Sequence, residues 1–171
     1  QQYSVDVRSE RVTPERLARL IESEADVLHF AGHHDEHGLE CKDGYLDLDS
    51  VQNAGLRAAF LNGCGTESQA RKLVERGALA AVGTTRDVRD ATASEVGRQW
   101  SSLVSVGWSI QRALRVSAED LSAYAVYGAG DRTLCQSDAG VPPRTIDRDG
   151  DLEVDYRPPR KPGWEFAHSL S

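Results

Sequence analysis

The chain has 171 residues, 39 % of them apolar, and a net charge of −7. That length suits one domain, or one domain with a tail, around a real core. The acid excess and the lack of any Lys/Arg run argue against a nucleic-acid partner, and no apolar run approaches the ~20 residues of a membrane span.

In chain order, residues 3–8 alternate and read as a short strand. Thr13 and Pro14 then mark a helix start, with Leu17, Leu20 and Ile21 at helical spacing as far as about Glu24. The apolar run 25–32 ends in Gly and reads as a buried strand. Residues 39–48 place Asp43-Gly44 between two short runs, the signature of a tight hairpin turn. Residues 56–63 form a second apolar strand, and 68–77 a helix closed by Gly77. Residues 78–85 form a third strand.

From Ala91 to Val116 the apolar residues recur at helical spacing, predicting one long helix or two joined near Gly107. Trp100 and Trp108 fall on its apolar stripe and are expected in the core. Residues 124–128 form a fourth strand and 152–156 a late one. The stretch 157–171, with Pro158, Pro159 and Pro162, reads as an irregular tail. The expected division is a domain over 1–136 and an extension over 137–171. Apolar strands alternating with helices predict an α/β protein with a mostly parallel sheet covered on both faces.

The cysteines at 41, 64 and 135 are odd in number and irregularly spaced. That argues against a disulfide framework, and thiols predict a cytoplasmic location. No Met occurs and the first residue is Gln1, so the expectation is a processed chain or a piece of a longer protein. No signal peptide is visible.

Sites in parallel sheets gather at the C-terminal ends of strands, and the two most unusual clusters lie at two such ends. Cys64 follows an apolar strand, between Gly63 and Gly65 and just before a helix. Glycines let a substrate backbone approach and leave amides free, and helix N-terminal amides favour a thiolate. Taken alone, a cysteine there is as often a buried structural residue. His33 follows an equivalent strand just past Gly32, where an imidazole can orient a nucleophile and protonate a leaving amine. If the two strands are sheet neighbours, both side chains emerge at one edge.

The segments HFAGH and AFLNGC together resemble the paired signatures of CHAT-domain proteins, a branch of the caspase–separase superfamily of cysteine peptidases. ALAAVGTTRDV resembles the strand and loop that follow in that domain, and the likeness spans roughly residues 13–130. The resemblance implies a caspase-like three-layer αβα sandwich and a Cys–His dyad without a cofactor. It assigns the nucleophile to Cys64 and the acid/base to His33. Main-chain N–H groups at Gly32, His34 and Cys64 would form the oxyanion hole. Implied partners are a protein or peptide substrate and an upstream regulatory or repeat region in a longer chain.

Two positions depart from the family pattern. His34 stands where the family has Gly, and Asn62 stands where related peptidases carry an acid that selects basic substrates. His29 is expected to share a strand face with Ala31 and His33 and to back the site.

Three rival readings remain. One is a catalytically weak or inactive interaction module of the same fold, favoured by His34 crowding the oxyanion site. Another is a metal site built from His29, His33, His34, His37 and Cys41, whose ligand types suit zinc but whose spacing matches no standard zinc pattern. The last, an α/β hydrolase or nucleotide binder, lacks both a nucleophile elbow and a phosphate loop.

Overall fold

The computed structural model describes residues 12–134 and the strands 144–148 and 151–155. The first described element is helix α1 (Pro14–Glu22), where the Thr13 hydroxyl caps the Arg16 N–H at 3.4 Å and Pro14 takes the first position. Leu17 and Ile21, one turn apart, bury its inner face. Its last carbonyls are satisfied from outside, since the Gly55 and Leu56 N–H groups both donate to Ile21.

Strand β1 (Val27–Ala31) leads into a small meander of β2 (His34–Asp35), β3 (Gly38–Cys41) and β4 (Gly44–Leu46). The sequence suggested a hairpin turn centred on Asp43-Gly44. Cys41 instead pairs with Gly44, so Lys42 and Asp43 form the turn and Gly44 opens β4 at φ +143. Strand β2 was not foreseen. It is very short, and the Asp35 carboxylate shapes its exit turn by accepting the His37 N–H at 2.7 Å.

Strand β5 (Ala58–Asn62), helix α2 (Glu67–Glu75) and strand β6 (Ala80–Thr84) follow. Every residue of β5 and β6 is buried, which is why both read as uninterrupted small and apolar runs rather than alternating ones. Gly77 ends α2 at φ +116, as expected. Helices α3 (Asp90–Ser105) and α4 (Ile110–Ser117) are separated at Gly107, φ +96, and the Ser109 hydroxyl caps α4. Strand β7 (Tyr124–Gly128) matches the expected fourth strand. The hairpin of β8 (Arg144–Arg148) and β9 (Asp151–Asp155) supplies the late strand expected near 152–156, with a partner the sequence did not announce. The expected strand at 3–8, the tail 157–171 and Cys135 lie outside the described residues.

Among the described residues, the main sheet has the order β1-β5-β6-β7. β1, β5 and β6 are parallel, and β7 is antiparallel to β6. The reversal has a simple cause. A single helix returns the chain to the start of the sheet and gives a parallel neighbour. The α3–α4 pair brings it back to the end it left, and Thr85 there donates its N–H to Ala123. The protein is therefore α/β with a mixed, mostly parallel sheet.

Each face of that sheet carries its own core. Ala59, Leu61 and Ala81 pack with Leu17 and Ile21 of α1, Ala70 and Leu73 of α2, and Leu39 and Leu46 of the meander. Ala58, Phe60, Ala80 and Val82 pack on the opposite face with Trp100 of α3 and Ile110 and Leu114 of α4. Trp100 is fully buried 5.0 Å from the Phe60 ring, and its indole N–H donates to the Ile110 carbonyl. Both Trp100 and Trp108 belong to this core, as their spacing implied.

Candidate functional site

β1 and β5 are adjacent parallel strands, with Ala31 opposite Asn62. His33 and Cys64 each lie two residues beyond that last pair, on turns leaving the same edge of the sheet. Both line a cleft of about 240 Å³, together with Gly32, Asn62, Gly63 and Thr84. The N-terminal part of α3 closes its far side with Ala93 and Ser94. Among the described residues, no Asp, Glu, Lys or Arg lines it.

The Cys64 turn is built by close backbone packing. A Cβ on Gly63 would sit 2.3 Å from the Gly32 carbonyl oxygen, so only glycine lets the two turns come this near. Gly65 has φ +65, a left-handed conformation that carries the chain into α2. Cys64 itself is exposed and Cys41 is buried.

Two threonines that the sequence reading passed over hold this turn. The Thr66 hydroxyl donates to the Leu61 carbonyl at 2.7 Å and accepts the Thr84 N–H at 3.0 Å. The Thr84 hydroxyl donates to the Gly63 carbonyl and accepts the Thr66 N–H. Thr66 and Thr84 are essentially inaccessible to solvent, so each bond replaces a costly unsatisfied group. A threonine just before one helix, with another ending the apolar strand that follows it, was the only available signal. Gly83 completes the seat, because a Cβ there would meet the Thr66 carbonyl at 2.8 Å and Ala70 at 2.9 Å.

His34 does not turn into the cleft lining. Its Nδ1 lies 3.4 Å from the Cys64 carbonyl oxygen and its Nε2 lies 3.2 Å from the Gln69 side-chain nitrogen. The expected crowding by His34 is thus replaced by a link across to α2.

The expected oxyanion donors divide. The Gly32 N–H donates to the Asn62 carbonyl at 3.2 Å, adding one rung to the β1–β5 ladder. Glu40 donates its N–H to the His33 carbonyl. By the alternation of antiparallel ladders, His34 and Leu39 then form a non-hydrogen-bonded pair, and the His34 N–H is directed away from β3.

Asn62 is 6 % exposed, lines the cleft, and has no hydrogen-bond partner at Oδ1 among the described residues. His29 lies outside the lining and is exposed. It shares a face of β1 with Ala31, stacks edge-on to Phe60 at 5.6 Å and is covered by α3 at Gly97, where a Cβ would be 2.5 Å from its Nε2. Its ring keeps some contact with solvent along β1, yet the surrounding protein desolvates it enough to lower its pKa below the ordinary 6.5.

The rival metal set does not converge. His29 faces α3, His37 lies against Tyr45 at 5.7 Å, and Cys41 is buried with its thiol on the Leu39 carbonyl. Among the described residues, no three His, Cys, Asp or Glu side chains are placed to share an ion. No helix among them is long and apolar enough to cross a membrane.

No family model and no curated protein matches this chain.

Proposed function

We propose that the chain is a caspase-like cysteine peptidase domain, with a three-layer αβα sandwich, in which Cys64 is the nucleophile and His33 the acid/base. One observation carries the reading. The two residues leave neighbouring parallel strands at equivalent positions and line one cleft. The N-terminus of α2, a few residues beyond Cys64, adds a partial positive charge that favours the thiolate.

In this mechanism the Cys64 thiolate attacks a peptide carbonyl, and the carbonyl electron pair moves onto oxygen. Collapse of that intermediate breaks the C–N bond, and His33 gives the departing amine its proton. Water then hydrolyses the thioester and regenerates the thiol. Asn62, in place of an acid, gives no support for a basic residue before the cut. The substrate class is a peptide or protein, and an upstream regulatory region belongs to the same proposal.

One observation favours a second reading, a weak or inactive interaction module of the same fold. With the Gly32 N–H committed to Asn62, the oxyanion loses one of its expected donors.

The test is cleavage of a peptide library by wild type and Cys64→Ala, each with and without a chelator. The peptidase reading expects turnover that disappears with Cys64→Ala and survives the chelator. Turnover that survives Cys64→Ala but not the chelator would establish a metal mechanism instead. No turnover in any arm would leave the interaction module.

A further inference from the structure

The Gly63–Gly65 turn has little intrinsic stiffness, since glycines flank Cys64 on both sides. Two successive carbonyls of this turn are nevertheless engaged. Thr84 binds that of Gly63, and His34 faces that of Cys64.

The proton inventory around His34 is restrictive. A carbonyl oxygen only accepts, so the ring proton must lie on Nδ1 to bond Cys64. The neutral ring then has a lone pair on Nε2, and the Gln69 amide nitrogen donates to it at 3.2 Å. Gln69 is 5 % exposed on α2, and its Oε1 has no hydrogen-bond partner among the described residues. His34 is therefore what orients this amide, and the amide in turn selects the ring tautomer that grips Cys64.

We propose that His34 and Gln69 form a positioning clip, which fixes the Cys64 turn relative to α2 and the β2–β3 hairpin. The importance of the clip for catalysis rests on the peptidase reading, whereas its effect on the turn does not. His34 is a positioning residue here, because it reaches the Cys64 main chain and not the cleft. The chain thus gains a restraint from the imidazole that a glycine at this position would lack.

The experiment compares wild type with His34→Gly, His34→Asn and Gln69→Met. Asn offers an N–H at about the reach of Nδ1, and Met keeps the length of Gln without its polar atoms. Amide hydrogen exchange is followed over peptides covering residues 62–67. Alongside it, Cys64 labelling is timed with iodoacetamide and with peptidyl acyloxymethyl ketones. The clip predicts exchange about tenfold faster in His34→Gly and Gln69→Met, and near wild type in His34→Asn. Labelling by the peptidyl probe should fall about tenfold in the same two variants, while iodoacetamide labelling holds or rises.

Gln69→Met also separates positioning from general stability. It removes a buried unpaired oxygen, so its thermal midpoint should hold or rise even as the turn loosens. Unchanged exchange in both His34→Gly and Gln69→Met would overturn the clip. So would exchange that rises evenly across the domain in step with a lower midpoint. If His34→Gly does not fold, Gln69→Met decides alone. Altered exchange with no labelling by the peptidyl probe, even in wild type, would uphold the clip and refute the peptidase reading.

Discussion

The Thr66 and Thr84 hydroxyls face each other at 3.2 Å, and each accepts the other residue's backbone N–H. Their own protons go outward, to Leu61 and Gly63, so the pair has no proton left to share between them. Thr84→Val keeps the shape but strands the Thr66 N–H and the Gly63 carbonyl. The expected cost is about 1–3 kcal/mol, read as a lower urea midpoint at unchanged slope. A loss below about 0.5 kcal/mol, the size of an ordinary surface change, would show that the clasp carries little.

The glycines around Cys64 should differ in kind. A methyl at Gly63 meets the Gly32 carbonyl, and backbone cannot swing aside. A methyl at Gly65 meets open space, and the strain there comes only from φ +65. Gly63→Ala is therefore expected to cost more stability than Gly65→Ala and to push the His33 and Cys64 turns apart. Denaturation midpoints in the reverse order would contradict this packing.

Much of this arrangement is legible in the sequence. β5 and β6 announced themselves because residues buried on both faces must be apolar throughout, whereas β1, also read as buried from its apolar run, buries only Phe30 and leaves Val27, His29 and Ala31 exposed. Thr13, Pro14, Gly77 and Gly107 marked their helix ends through local chemistry that needs no tertiary partner. The hairpin was placed correctly, but its turn was set one residue too far along, because Gly44 meets its positive φ inside the strand. β2 was invisible, since two residues carry no period and its pairing depends on the Asp35 turn. For the candidate site, His33 and Cys64 were legible as strand-end residues. The Gly32 bond, the Thr66–Thr84 clasp and the His34–Gln69 contact were not. Each joins groups distant in sequence, and a residue's donors and acceptors do not disclose their partners.

The lowered pKa of His29 makes stability depend on pH in a definite direction. The unfolded ring titrates near 6.5, while desolvation lowers the folded value. The unfolded chain therefore binds the proton more readily. The stability His29 contributes is in place above the unfolded pKa and is lost as pH falls through the folded one. His29→Asn should flatten the decline in thermal midpoint between neutral and mildly acidic pH. A decline as steep as in wild type would assign it to other groups.

The thiols should react in a fixed order. Cys64 is exposed, whereas Cys41 is 4 % exposed, donates to the Leu39 carbonyl and has its pKa raised by burial. Alkylation followed by mass spectrometry should modify Cys64 well before Cys41 in the native protein. Faster labelling of Cys41 would place the accessible thiol on the meander and away from the cleft.

The central claim is that His33 and Cys64 act as a pair, and the pH profile of Cys64 alkylation tests it without a known substrate. The measurement compares wild type with His33→Ala, using a small neutral electrophile and monitoring Cys64 by mass. A base that assists Cys64 shapes how its labelling depends on pH, so the wild-type profile should differ from that of His33→Ala. Removing the imidazole should collapse that profile to the single rise of an isolated thiol. Superimposable profiles for the two proteins would mean that His33 does not sense the thiol, and would contradict the pairing.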